Sequence, residues 1–128
     1  MNKIYKILLE GKEIGITQLE KADTPMGVVF GEIHFSSKEV GYAYLLSYCK
    51  ENNILITEYP EDNFFQTHES VESLKILNED GIEIKGVGNQ LSVIKGETYE
   101  ISIQGIPYPF YEEEFPHHVN AYNEMFKE

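Results

Sequence analysis

Arginine and tryptophan are absent from this chain of 128 residues, and cysteine occurs once, at Cys49. A lone cysteine excludes an internal disulfide, which fits a reducing compartment. No stretch approaches the roughly 18 apolar residues of a membrane-spanning helix. The apolar run at residues 7–9 is too short for a secretory signal, and no small-residue cleavage site follows it. These absences predict a cytoplasmic protein that does not enter a membrane. Because arginine is missing, all ten cationic side chains are lysines, and 22 acids outnumber them. There is no basic stripe with interleaved aromatics, so nucleic acid is excluded as a partner.

The charge is unevenly spread. Residues 1–50 carry six Lys and six acids, whereas residues 51–128 carry four Lys and sixteen acids, which accounts for the whole formal charge of −12. Such a surface repels anions and attracts basic proteins or metal cations. Apolar residues make up 41% of the chain, including nine Tyr and seven Phe, enough to build a core rather than an acidic disordered tail. The length predicts one domain.

Short β-branched and aromatic runs predict strands at 4–9, 14–19, 28–35, 54–59, 73–77, 82–85, 91–94 and 98–104. The first two flank a Glu-Gly turn, 73–77 and 82–85 flank Asn78-Glu79-Asp80-Gly81, and the last two are joined by Lys95-Gly96-Glu97. Ser36 and Glu39 have capping-box spacing ahead of a helix over 40–50, with Tyr42, Leu45, Leu46 and Cys49 on its buried stripe. Residues 60–70 are polar apart from Phe64 and Phe65 and predict a loop. Pro116 opens a terminal helix to 126 with Val119, Tyr122, Met125 and Phe126 facing inward. No internal repeat or linker is evident. The fold predicted is α+β: a largely antiparallel sheet of about seven or eight strands, one helix after the third strand and a short C-terminal helix.

Catalytic signatures are missing. The chain has no Gly-x-Ser-x-Gly elbow and no His-Glu-x-x-His helix. Cys49 lies on an apolar stripe, where a thiol is inert. Gly86 and Gly88 lead into a strand rather than a helix, which reads as a bulge and not as a phosphate loop. His117 and His118 are neighbours, whereas chelating pairs on a helix stand three or four residues apart. Only Glu114 and His118 have that spacing, and Pro116 lies between them. The segment at 19–28 turns abruptly from polar to apolar. Backbone geometry in a tight turn accounts for its Pro and Gly, and position alone favours the alternative of Glu20 and Asp23 at the rim of a pocket.

The strongest candidate site is 108–115, where Tyr108, Tyr111, Glu112, Glu113 and Glu114 combine aromatic anchors with acids that select a basic partner. The same pattern also suits a connector in which Phe110 and Phe115 dock a terminal helix and the glutamates are solvated. In size, acidity and lack of a catalytic signature the chain is similar in type to bacterial immunity proteins that neutralise basic toxins. That resemblance implies a non-enzymatic, cofactor-free protein that binds a basic protein partner. Two alternatives stand beside it: a small-ligand or metal-binding enzyme using His117, His118 and nearby Glu, and an assembly module whose strand edges pair into a homo-oligomer.

Overall fold

The computed structural model describes residues 3–95 and 99–126. The chain is α+β, and the described residues form ten strands in two antiparallel sheets and three α-helices. Strands β1 (Tyr5–Leu9) and β2 (Lys12–Thr17) form the first hairpin. Its two-residue loop places Glu10 and Gly11 at φ 52 and 80°, the handedness that matches the twist of the flanking strands. Next come β3 (Lys21–Asp23), a 3₁₀ turn at Thr24–Met26, β4 (Val28–Glu32) and β5 (His34–Phe35). The strand predicted over 28–35 is therefore two. Ile33 turns into the core between them, so β4 pairs in one sheet and β5 in the other.

Helix α1 (Tyr42–Glu51) begins behind Gly41 with no side-chain cap. The predicted capping box does not form, and the Glu39 amide bonds instead to the hydroxyl of Ser37. Its stripe is as predicted: Leu45 and Cys49 are buried, while Tyr42 and Leu46 pack against the core. Strands β6 (Ile56–Tyr59) and β7 (Phe64–Thr67) follow, joined by a 3₁₀ turn at Pro60–Asp62. Residues 60–70 are thus not all loop. Pro60 and the acids mark a turn of three residues, and Phe65 and Thr67 then bury alternately as in any half-covered strand.

Strand β8 (Leu74–Leu77) pairs with β1. The turn after it forms as predicted, with the Asn78 side-chain oxygen accepting the amides of Asp80 and Ile82. Its return arm is no strand, because only the Leu77–Glu83 bridge forms before the chain leaves for the other sheet. Strands β9 (Gly88–Ile94) and β10 (Tyr99–Gln104) make the last hairpin. The connection predicted through Gly96 and Glu97 and the strand start at Thr98 lie outside the described residues. Helices α2 (Phe110–Glu114) and α3 (Pro116–Glu124) close the chain. Met125 and Phe126, predicted to face inward, are exposed, and His118 takes the buried place on α3.

The sheets run β5-β2-β1-β8 and β3-β4-β10-β9-β7-β6, with the core between them. A short motif recurs across the β1–β8 edge pair of the four-stranded sheet. The tripeptide Lys-Ile-Leu at 6–8 recurs at 75–77, and the copies pair antiparallel with Ile7 opposite Ile76. The β3–β4 and β9–β10 hairpins that follow the two copies meet in the other sheet, Gly31 opposite Ile101. Beyond the tripeptide the halves share only buried alternation, which any strand has. Among the described residues no helix is long and apolar enough to cross a membrane.

Candidate functional site

The predicted site lies where the chain after β10 folds back over the Thr24–Met26 turn. Gly27 makes the approach close. Its φ is +67°, and a β-carbon there would meet the Ile106 carbonyl oxygen at 2.8 Å. The Ile106 amide donates to the Gly27 oxygen at 3.0 Å. The Tyr108 hydroxyl donates to the Thr24 carbonyl at 3.1 Å, and the Tyr111 hydroxyl donates to the Val28 carbonyl at 3.0 Å. From α3, the His118 carbonyl accepts the Thr24 hydroxyl at 3.4 Å. Connector and helix are both fastened to one turn.

Aromatic rings run from this surface into the core: Tyr108 stacks on Tyr111 at 5.2 Å, Tyr111 meets Phe115 at 5.3 Å, and Phe115 meets Tyr5 at 5.8 Å. The five predicted site residues divide accordingly. Tyr108 is 49% exposed, Glu112 and Glu113 are exposed, and Tyr111 is fully buried. The Glu114 side chain is 11% exposed. Its carboxylate lies 3.3 Å from the Lys3 ammonium, accepts the Tyr5 hydroxyl at 2.9 Å and accepts the Asn78 amide at 2.9 Å. The cause is helical period: Tyr111 and Glu114 are three apart and share the inner side of α2, while the two residues between them point out. A partner docking on the folded chain therefore meets Tyr108, Glu112 and Glu113, and Tyr111 and Glu114 hold the platform. Partial burial, then the charge of Glu112, pushes the Tyr108 phenol above its ordinary value.

The histidines do not assemble with the acids. His118 is 9% exposed, and its Nε2 lies 2.8 Å from the Leu19 carbonyl, so this nitrogen carries the proton. His117 is exposed, its ring 4.2 Å from that of His118. Loss of hydration, then the neighbouring His118 and Lys3, hold it below the usual imidazole range. Glu114 is committed to Lys3, Tyr5 and Asn78. Among the described residues no three His, Cys, Asp or Glu side chains converge as a metal site requires. His34 and His68 stand exposed on other elements, His68 against the Thr57 hydroxyl. Burial pushes the Cys49 thiol up to about 11, which leaves no nucleophilic thiolate at neutral pH.

Beside the acidic segment lies a groove of which the sequence marks only one wall. At about 690 Å³ it separates the β3–β4 hairpin from α3, lined by Ala22, Asp23, Thr24, Pro25, Val28 and Phe30 on one side and His118, Ala121, Tyr122 and Met125 on the other. Met26, Met125 and Phe126 are exposed around it, and the Tyr122 ring lies 5.0 Å from Phe126. Of the two acids placed at a pocket rim, Asp23 lines the groove, whereas the Glu20 carboxylate accepts the Glu32 amide at 3.0 Å. The signal was the switch from polar to apolar across 19–28, but the facing wall is α3, distant in sequence. No family model, curated protein or solved structure matches the chain.

Proposed function

We propose that this is a cytoplasmic, non-enzymatic interaction protein that binds a basic protein through an acidic, aromatic face. The observation that carries the reading is the solvent-open set of Tyr108, Glu112 and Glu113 on a segment that the Tyr108 hydroxyl ties to the Thr24–Met26 turn, where Met26 and Met125 are also exposed. Tyrosine and methionine supply contact area at interfaces, and the carboxylates choose the sign of the partner. The face is preorganised, because the Tyr108 hydroxyl is held on Thr24 and its ring on Tyr111.

The test is an array of random peptides matched in apolar content and varied in charge, probed with the labelled chain. Peptides bearing Lys or Arg are expected to bind, and Glu112→Gln with Glu113→Gln should weaken the preference. Equal capture of acidic and basic peptides by the unaltered chain would refute the reading.

A further inference from the structure

We infer that the groove between α3 and the β3–β4 hairpin seats the partner's apolar anchor, a leucine- or phenylalanine-sized side chain standing next to a lysine or arginine in a basic segment. This rests on the reading above and names what the site takes. At about 690 Å³ the groove falls within the size range of ligand-binding clefts. Phe30, Tyr122 and Met125 give it apolar walls, and Met125, at 75% exposed, leaves its thioether for a partner to cover. The charged group among the lining fixes what flanks the anchor. Asp23 is a carboxylate and accepts only. His118 is buried with its Nε2 spent on the Leu19 carbonyl, so the ring adds no free cation donor from that nitrogen to the groove. No lysine lines the groove among the described residues. Asp23 therefore selects a donor for the residue beside the anchor, and a cation pairs with it best. An acidic flank would meet the Asp23 carboxylate and be repelled.

The experiment measures fluorescence anisotropy of a labelled dodecapeptide of alternating Leu and Lys on the full chain, at about 0.1 M salt. Its counterparts carry Ser for Leu or Glu for Lys. Ala121→Arg places bulk and a cation in the groove from an exposed position of α3. Ala43→Arg makes the same charge change on α1, which packs by Tyr42 on Phe65 toward the far edge of the six-stranded sheet. Met125→Glu is a second groove variant at an exposed site, outside the core. The Leu/Lys peptide is expected to bind the unaltered chain and Ala43→Arg alike. It should bind Ala121→Arg about tenfold more weakly, and the Lys/Ser peptide should bind the unaltered chain about tenfold more weakly. Met125→Glu should also weaken the Leu/Lys peptide despite its added negative charge. If Leu/Lys binds but neither groove variant weakens it more than Ala43→Arg does, the groove is overturned and the acidic face stands. Equal binding of the Leu/Glu and Leu/Lys peptides overturns the choice of a basic flank. If neither Leu/Lys nor Lys/Ser binds, the function proposed above falls with the groove.

Discussion

Two tyrosines three residues apart have opposite duties. Tyr108 presents half its surface to water, while Tyr111 is fully buried with its hydroxyl on the Val28 carbonyl. Tyr111→Ala should therefore cost about 3–5 kcal/mol in urea unfolding, as core aromatic truncations do. Tyr111→Phe, which loses one hydrogen bond, should cost only about 1 kcal/mol. Near-equal stability of the alanine variant and the unaltered chain would take the ring out of the core. Cys49 sets a second expectation at this scale. Its folded-state pKa is raised from 9.0 to about 11 by burial, so the folded chain keeps the proton while the unfolded chain releases it. The corresponding stability is whole below pH 9 and is lost as pH rises through about 11, up to about 3 kcal/mol. Tyr5, pushed up by burial and then by Glu114, acts in the same direction above pH 10. Urea midpoints should fall between about pH 9 and pH 11, and less steeply in Cys49→Ala. An unchanged midpoint would contradict the burial of both groups.

At the scale of elements, what could be read from the sequence was what is local. The β1–β2 hairpin, the stripe of α1 and the β9–β10 alternation each declare themselves within a dozen residues. Strand β7 was hidden because Pro60 and its acids announce a turn without saying how short it is. The 82–85 arm has the right alternation, but pairing depends on where the chain goes next. Capping depends likewise on which turn becomes the first of the helix: Val40 is buried ahead of Gly41, so the helix starts later than Ser36 would set it. The site divides in the same way. Tyr108, Glu112 and Glu113 stood out by composition, whereas the groove joins 22–30 to 118–125 and has no local signature. Gly27 is what joins those parts. Gly27→Ala would force a side chain into positive φ and against the Ile106 oxygen, at a cost of about 1–3 kcal/mol. Hydrogen exchange at the Ile106 amide, which donates to Gly27, should accelerate at the same time. Unchanged protection at Ile106 would show that the connector does not depend on this contact.

Over the whole molecule the lopsided charge is not a lopsided shape. The neutral first half and the acidic second half are interleaved, β1 against β8 and β4 against β10, so the excess of −12 does not collect in one lobe. Where the carboxylates stand relative to an apolar surface then matters more than their number. Exposed charges act over roughly 10 Å at 0.1 M salt, so those flanking the groove should steer a basic segment more than distant ones do. Stopped-flow mixing with the Leu/Lys dodecapeptide separates the contributions. Association should slow as salt rises. Glu112→Gln with Glu113→Gln should slow it further, with little change in dissociation. Tyr108→Ala should speed dissociation instead, because it removes contact area and no charge. Glu61→Gln with Asp62→Asn removes the same charge from the exposed Pro60–Asp62 turn, at the opposite edge of the six-stranded sheet from β3. That pair should slow association less than the Glu112 and Glu113 pair. Equal slowing by the two pairs would assign the steering to net charge alone and remove Glu112 and Glu113 from the site.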